Sequence, residues 1–264
     1  MKCKICDCEL EYIFTEKILD KFCIKYFKCN HCEFLCTEEP YWLDEAYSSA
    51  ITNSDTGILQ RNLGFSKEVP ILLKALNCDL SISKFLDFAG GGGIFVRLMR
   101  DLGIDFYWYD KYCENWVANG FEGDLSKKYS GITAFECFEH FINPKQEIEK
   151  LFQYSDNIIF STIILPQKIP DKSWWYFAFR EGQHVSFYSY KTLEYIAKEN
   201  KFNFYSFGNT HCFTKVKINY LTLHLIRFII KHVKIKSLYF YLIKNKLKSK
   251  TILDMNFIRQ KNDI

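Results

Sequence analysis

Short apolar runs alternate with helical patterns between residue 84 and about residue 213 of this chain. The runs Phe106 to Tyr109, Ile132 to Phe135 and Asn157 to Thr162 have the length of strands. The segments between them repeat apolar residues at a spacing of three or four. Strands that alternate with helices favour a mostly parallel sheet with helices on both faces. The pattern therefore predicts an α/β fold.

The most informative run is the one from Phe85 to Leu98, which ends in an acidic residue and then passes through glycines. Asp87 precedes Ala89 and the four glycines 90–93, and an amphipathic helical pattern follows. Such a strand–turn–helix lets a ligand approach bare backbone at the first amides of a helix. Asp110 ends the next apolar run about 20 residues further on, the spacing of a ribose-binding carboxylate. We therefore expect a ligand that carries a nucleoside.

Several polar groups fall at the predicted ends of neighbouring strands. They are Asp87 with its glycine turn, Asp110, Asp124, and the pair Phe135 and Glu136. Ligands of such folds bind beyond the carboxyl ends of the strands. We therefore expect these residues to share one crevice.

These motifs resemble those of class I S-adenosylmethionine (SAM)-dependent methyltransferases. The pattern Asp87-x-Ala89-x-Gly91-x-Gly93 resembles motif I of that family, with Ala89 in place of the usual first glycine. The segment from Gly131 to Pro144 contains Glu-His-x-x-x-Pro and resembles the motif after the fourth strand. The segment that begins at His184 resembles methyltransferases of polysaccharide and sugar-modification pathways. The resemblance covers roughly residues 40–214.

The resemblance implies a Rossmann-like fold and SAM as cofactor. Gly90, Gly91 and Gly93 would admit the methionine part, and Asp87 would order the turn and approach the cofactor's amino group. Asp110 would accept hydrogen bonds from the ribose, and Phe135 and Glu136 would complete the site. Asp124 matches the acidic residue near the adenine. Glu122 competes for that role, and both carboxylates also fit a solvated loop.

Catalysis is less determined by the sequence. If the acceptor is a hydroxyl, its proton must be removed, and His184 is the first candidate base because imidazole titrates near neutral pH. His140 and Glu139 are alternatives, and all three also fit a structural role in which they cap a turn or bond backbone. Trp174, Trp175 and Tyr176 suit a sugar ring by stacking, or an apolar lid.

The chain has 11 cysteines, and its N-terminus shows no secretory pattern, so we expect reduced thiols in the cytoplasm. The knuckles Cys3-x-x-Cys6 and Cys29-x-x-Cys32 predict a structural zinc ribbon over residues 1–38. Reduced cysteines in a small core are the alternative. Further thiols and an imidazole could replace one of the four ligands: Cys8, Cys23, His31 and Cys36.

Residues 39–80 predict a helical cap or linker. Its Tyr41, Trp42, Tyr47 and Arg61 would help to close the cofactor pocket or would simply pack the outer helical layer. The methyltransferase domain then covers residues 81–214.

The segment 215–264 differs in charge from the rest of the chain. It contains 12 Lys plus Arg and 2 Asp, although the whole chain has a net charge of only +4. Leu221, Leu225, Phe228 and Ile229 predict one apolar face of a basic helix, which suits an anionic membrane surface. The alternative is a helix that covers the sheet edge or a partner subunit. Its charges exclude a membrane-spanning segment.

Together these features predict a SAM-dependent methyltransferase that acts on a small-molecule acceptor. A sugar or a saccharide intermediate at the cytoplasmic membrane face is the acceptor class that the resemblance suggests. The acid before the glycine turn and the Glu139–His140 turn argue against a nicotinamide enzyme of the same fold. The remaining alternative is an RNA-binding or inactive module that uses the ribbon and the basic tail. The segment after the fourth strand lacks a nucleobase-methylation tetrad, which favours a small molecule over nucleic acid.

Overall fold

A computed structural model describes residues 1–48, 51 and 55–262. The first part of the chain forms three strands and a short helix. These are β1 (Leu10–Ile18), β2 (Phe22–Cys29), β3 (Leu35–Thr37) and α1 (Leu43–Ala46).

The middle of the chain forms the predicted alternation of helices and strands. Its elements are α2 (Ile58–Ala75), β4 (Lys84–Phe88), α3 (Ile94–Asp101), β5 (Asp105–Tyr109), β6 (Gly131–Ala134), α4 (Pro144–Tyr154), β7 (Asn157–Ser161), β8 (Ser186–Phe187), α5 (Tyr190–Glu199), β9 (Asn203–Phe207) and β10 (Thr210–Thr214). Three helices follow: α6 (Tyr220–Lys231), α7 (Val233–Lys244) and α8 (Thr251–Asn262).

The larger of the two sheets has the strand order β5-β4-β6-β7-β10-β9. The central strand β4 is parallel to both β5 and β6, with Phe85 opposite Phe106 and Gly131. The final pair, β10 and β9, is antiparallel. A sheet with parallel strands at β5-β4-β6 and an antiparallel pair at the other edge, built from alternating helices and strands, confirms the predicted Rossmann-like α/β class.

The chain divides into two compact units, and we describe each by itself. The cysteine-bearing unit comprises Met1–Thr52, Phe135–Phe152 and Phe160–Lys215. The glycine-turn unit comprises Asn53–Ala134, Gln153–Ile159 and Val216–Ile264. The two units group the chain differently from the four segments expected from sequence, because distant stretches pack together.

The cysteine-bearing unit contains the smaller, antiparallel sheet, with strand order β1-β2-β3-β8. The last strand comes from far along the chain, since Leu35 of β3 pairs with Phe187 of β8. A buried aromatic cluster packs against this sheet: the Phe14 and Tyr26 rings stack at 4.5 Å, and Phe177 meets Phe14 edge-on at 5.4 Å. The N-terminal segment is thus packed with residues from the second half of the chain.

The glycine-turn unit is built on the parallel strands. The rings of Phe85 and Phe106 stack at 5.1 Å across β4 and β5, and Phe95 of α3 meets Phe106 edge-on at 5.4 Å. The charged side chain of Arg100 is also buried there, because Asp254 of α8 binds it through two bonds of 2.7 and 2.8 Å. The last helix therefore belongs to the same packed unit as α3.

The apolar face predicted for the basic segment is divided in the structure. Leu221, Leu225 and Phe228 are 79%, 58% and 50% exposed, as a face that lies on a surface requires. Ile229 is instead buried in α6, together with Ile226 and Ile230. These buried residues face inward because α6 and α7 pack against α2. No helix in the described part of the chain is long and apolar enough to cross a membrane.

Candidate active site

The glycine turn follows β4 directly, and Asp87 anchors it from inside. Asp87 is only 2% exposed and accepts a 2.6 Å hydrogen bond from the Thr133 hydroxyl. Burial raises the pKa of Asp87 to about 7, with a smaller contribution from the Asp110 charge. The Thr133 bond opposes this shift. Asp87 therefore changes its charge within the physiological pH range.

The backbone of the turn requires missing or small side chains. Ala89 has φ 58°, a left-handed conformation that costs a residue with a Cβ about 1–2 kcal/mol. A Cβ on Gly90 would lie 2.7 Å from Asp87 Oδ2 and 2.9 Å from a Trp108 ring carbon. The turn thus fits tightly around the buried carboxyl.

Asp110 and the glycine turn meet as the sequence predicts. The backbone N–H of Gly91 donates to Asp110 Oδ2 at 2.9 Å. The N–H groups of Tyr112 and Cys113 donate to Oδ1 at 2.7 and 2.9 Å. Since a carboxylate has about four acceptor positions, Asp110 keeps capacity for a ribose hydroxyl.

Two tryptophans at this turn are absent from the sequence-based prediction. The Trp108 indole N–H donates to the Gly91 carbonyl at 2.7 Å. Trp116 donates its backbone N–H to the Gly92 carbonyl at 3.0 Å, and a Cβ on Gly92 would lie 2.3 Å from the Trp116 ring. The apolar run around Trp108 predicts that this residue lies on β5. No local pattern predicts a contact of Trp116 with the turn, and Trp116 is 56% exposed.

The two candidate adenine acids are held by local bonds. Asp124 accepts from the Ser126 N–H and hydroxyl at 2.9 and 2.6 Å, and it pairs with Lys127 at 3.0 Å. These contacts, led by the Ser126 hydroxyl, lower the pKa of Asp124 to about 2. Glu122 accepts from Asn115 at 3.1 Å. Both carboxylates are exposed, so the geometry leaves the choice between them open.

The other predicted groups lie in the cysteine-bearing unit. Phe135 and Glu136 directly follow β6, and Glu136 has φ 48°. The Glu136 N–H donates to the Ser161 hydroxyl at 2.8 Å, and that hydroxyl donates to Glu136 Oε1 at 2.5 Å. This reciprocal pair fixes the backbone after β6.

The three candidate catalytic residues come together in one cluster. Glu139 and His140 belong to a single 3₁₀ turn, Phe138–His140, and His184 lies just before β8. One possible metal-ligating atom from each of the three lies within 4.8 Å of the others. The backbone N–H of Val185 donates to the Glu139 carbonyl at 2.9 Å, which holds the two segments side by side.

Burial keeps both histidines of this cluster neutral. It lowers the pKa of His184 to about 4 and that of His140 to about 3. The nearby His184 ring also lowers the pKa of His140. His184 Nδ1 lies 2.7 Å from the Tyr176 carbonyl. Because a carbonyl only accepts, Nδ1 carries the proton and Nε2 keeps its lone pair. A neutral imidazole of this tautomer can accept a proton or bind a metal.

The aromatic triplet divides into exposed and buried members. Trp175 is 70% exposed, whereas Tyr176 is 1% exposed and its hydroxyl is bonded to Thr162 at 2.9 Å. The expectation that Tyr176 offers a ring face to a sugar is therefore not met, because its ring packs inside the core. Trp174 is partly buried.

The cap aromatics also have distinct partners. The Tyr47 hydroxyl lies 3.0 Å from His140 Nδ1. Trp42 is buried and donates its indole N–H to the Gly182 carbonyl at 2.8 Å, whereas Tyr41 is 64% exposed. Arg61 pairs with Asp55 at 2.6 Å. No local pattern predicts that Tyr47 would meet the histidine cluster.

The four knuckle cysteines converge. Cys3 Sγ lies 3.5 Å from Cys32 Sγ, and Cys6 Sγ lies 3.4 Å from Cys29 Sγ. Zn–S bonds of about 2.3 Å require sulfurs about 3.8 Å apart in a tetrahedron, so the set fits zinc with a small expansion. The Cys3–Cys32 contact lowers the pKa of the Cys3 thiol to about 5 and raises that of Cys32, as expected for one shared proton.

Two of the spare ligands lie near this set. Cys8 and His31 form a second group with Cys6, within the same 4.8 Å limit. Cys23 is exposed, and Cys36 is buried in β3.

Comparison with known proteins gives one family. The sequence model of that family, described as a methyltransferase domain, matches residues 58–206. No curated protein matches the chain.

Several solved structures are similar at low identity. Magnesium protoporphyrin IX methyltransferase from Synechocystis PCC 6803, with SAH bound, is 15% identical over 65% of this chain and 90% of its own, with a TM-score of 0.42. Human N-acetylserotonin methyltransferase in complex with SAM is 14% identical over 58% of this chain and 52% of its own, with a TM-score of 0.40. The calicheamicin-biosynthesis methyltransferase CalO1, with SAH bound, is 12% identical over 67% and 60%, at 0.45.

Proposed function

From the premise that this chain belongs to the methyltransferase-domain family and is a SAM-dependent methyltransferase, we propose that it methylates a hydroxyl of a small molecule. The observation that carries the cofactor site is the contact of Gly91 with Asp110 beside the buried Asp87. A sugar or saccharide acceptor is the proposed class, supported by the sequence resemblance alone.

The chain's residues supply distinct parts of the reaction. When bound, SAM supplies the methyl group: a C–O bond forms to the acceptor as the S–C bond breaks and its electron pair stays on sulfur. Asp87 and the glycine turn would hold the amino-acid end, and Asp110 would hold the ribose. His184 Nε2 would take the proton that leaves the acceptor hydroxyl. Glu139 and His140 would position that hydroxyl.

Titration calorimetry with S-adenosylhomocysteine tests the cofactor site. We expect micromolar binding by the wild type and loss of binding in Asp110→Ala, because the variant removes the carboxylate at the glycine turn. Asp156→Ala is the matched control, since Asp156 is an exposed acid of the same unit outside the predicted site. If folded wild-type protein binds no S-adenosylhomocysteine, the chain is an inactive module, and steep salt-dependent RNA binding would then support the RNA alternative.

We also propose that Cys3, Cys6, Cys29 and Cys32 hold one structural zinc ion. The two S···S contacts near 3.5 Å and the backbone N–H bonds to Cys3 and Cys29 at 3.4 and 3.5 Å support this proposal. Metal analysis tests it. We expect one zinc per chain in the wild type and in Cys23→Ser, whose thiol is exposed, and none in Cys29→Ser.

We propose, finally, that α6 and α7 contact an anionic lipid surface. Leu221, Leu225 and Phe228 of α6 are exposed beside a basic segment, and so are Leu238 and Leu242 of α7. Exposed apolar side chains with basic neighbours favour the headgroup region of acidic membranes.

Vesicle sedimentation tests this surface. We expect wild-type protein to bind vesicles that contain phosphatidylserine more strongly than neutral ones. Leu221→Glu should abolish the binding, whereas Ile82→Glu should leave it unchanged, since both side chains are 79% exposed and only the first lies on α6. Equal binding by the two variants would contradict the proposal.

A further inference from the structure

We propose that Glu139, His140 and His184 form a binding site for one divalent metal ion. One possible ligand atom from each residue lies within 4.8 Å of the other two. Two imidazoles and one carboxylate form a donor set that binds first-row transition metals and leaves coordination positions open. This inference deepens the proposed function, and its catalytic meaning rests on that function.

The Glu139 carboxyl group is the main reason for the proposal. It is 1% exposed, and neither of its oxygens has a hydrogen-bond partner among the described residues. The hydroxyls of Tyr176 and Thr162, which favour its charged form, are bonded to each other at 2.9 Å. Burial therefore favours the uncharged form of this carboxyl group, and a bound cation would stabilise the ionised form that has no partner otherwise.

His184 keeps one ring nitrogen for a metal. It donates Nδ1–H to the Tyr176 carbonyl at 2.7 Å, and metal-binding histidines usually hold one ring nitrogen in this way, which fixes the ring. His140 Nδ1 lies 3.0 Å from the Tyr47 hydroxyl, and its ring also has a hydrogen bond with the Gln183 backbone that metal binding would replace. Ligands about 2.0–2.2 Å from one ion lie at most about 4.4 Å apart, so donors within 4.8 Å of one another need a small contraction to share it.

Another buried histidine of the same unit, His211, differs from the candidate ligand His184. His211 has both ring nitrogens engaged, at 3.0 Å from the Ser206 hydroxyl and at 3.0 Å from the Thr162 carbonyl. It therefore has no nitrogen available for a metal. His140 and His184 are only partly buried, so solvent and an acceptor can reach them.

A metal at this cluster defines the acceptor chemistry more closely. An ion with open positions binds a hydroxyl oxygen and lowers its pKa, as it does for bound water. With an ion bound, His184 Nε2 would be a ligand rather than the base, so the acceptor would react as an alkoxide or phenoxide and its proton would pass to solvent. Two adjacent oxygens in the acceptor would chelate the ion.

The test uses full-length protein that contains one zinc per chain after brief EDTA treatment, so that the cysteine site is filled. Mn²⁺ is the probe, because hard cations avoid thiolates, and free Mn²⁺ is measured by electron paramagnetic resonance. We expect the wild type to bind one Mn²⁺. Glu139→Gln and His184→Gln should weaken binding at least about 100-fold, since each loses one of three ligands.

Two controls separate ligands from structural residues. His211→Gln removes a buried histidine that is not a ligand, and His31→Gln removes the histidine of the group near Cys6. Both should bind Mn²⁺ as the wild type does. Glu139→Gln keeps the size of the side chain and the uncharged state that burial favours, so its melting temperature without metal should stay close to that of the wild type.

The proposal is overturned if wild-type protein binds neither Mn²⁺ nor a second equivalent of Zn²⁺, or if Glu139→Gln and His184→Gln bind as tightly as the wild type. S-adenosylhomocysteine binding, measured in the same samples without Mn²⁺, reports the cofactor site independently. Loss of one kind of binding without the other shows which proposal has failed.

Discussion

Two buried carboxyl groups, Asp87 and Glu139, show how similar burial leads to different roles. Burial raises the pKa of both, to about 7 for Asp87 and about 8 for Glu139. Asp87 has a 2.6 Å bond from Thr133 and lies against the glycine turn. Glu139 has no hydrogen-bond partner among the described residues and lies beside two neutral histidines. The first group stabilises the glycine turn, and we assign the second to the proposed metal site.

The largest expected effect separates these roles in catalysis. Glu139→Gln should lower kcat about 100- to 10,000-fold and leave the S-adenosylhomocysteine affinity unchanged. Asp87→Asn should act mainly on the affinity for the cofactor. Steady-state kinetics with a responsive acceptor and calorimetry measure the two effects. If both variants change the same parameter, the distinction between the two carboxyl groups is wrong.

The next effect tests how tightly the turn surrounds Asp87. Gly90→Ala places a Cβ 2.7 Å from Asp87 Oδ2, so we expect about 1–3 kcal/mol of destabilisation and weaker S-adenosylhomocysteine binding. Gly64→Ala in α2 is the matched control, since a Cβ there meets nothing within 4 Å. That variant should gain about 0.5–1 kcal/mol in the free energy of unfolding, measured by urea denaturation. Equal behaviour of the two would contradict the packing of the turn.

A smaller effect concerns pH. The cationic amino group of S-adenosylhomocysteine favours ionised Asp87, so affinity should rise up to about tenfold per pH unit below 7 and level off above it. Without ligand, the contribution of Asp87 to the free energy of unfolding varies with pH in the opposite direction. A carboxyl whose folded-state pKa is raised favours the folded state most at low pH, and this contribution is lost as the pH rises through about 7. Calorimetry of the wild type and Asp87→Asn checks this: affinity that varies equally in both would assign the dependence to another group.

The smallest effect comes from Ala89, whose φ of 58° suits glycine better. We expect Ala89→Gly to raise the free energy of unfolding by about 0.5–1 kcal/mol, since relief of strain exceeds the added entropy of the unfolded chain. Ala197→Gly, inside helix α5, should lower it by about 1 kcal/mol. A destabilised Ala89→Gly in thermal or urea unfolding would show that the methyl group contributes packing that outweighs the strain.

The sequence predicted well those features that depend on local patterns. The strand at Asn157–Ser161, the helix at Tyr190–Glu199 and the glycine turn all lie where apolar spacing and turn residues indicate. Each cysteine pair is a local motif, and the pairing of β1 with β2 brings the two pairs together. Local spacing was sufficient in these cases because the contacts that form each element lie within a few residues.

Features that depend on distant contacts could not be predicted in this way. Tyr47 meets His140 across 93 positions of the chain, and Trp116 lies on Gly92 through loop geometry alone. The buried face of α6 is set by α2, so the apolar pattern alone could not separate the exposed Leu221 and Leu225 from the buried Ile229. No periodicity in one segment contains this information, because it depends on the partner surface.

The two-residue strand β8 connects the N-terminal segment to the residues around Glu139 and His184. The Thr37 N–H donates to the Val185 carbonyl at 3.1 Å, and Val185 in turn donates to Glu139. The Thr192 hydroxyl also donates to the Cys32 carbonyl at 2.8 Å. In evolutionary terms, the N-terminal segment with the four cysteines is therefore not an independent addition to the fold. A lineage that deleted it would also lose the backbone support of Glu139 and His184, so the two parts should be inherited or lost together.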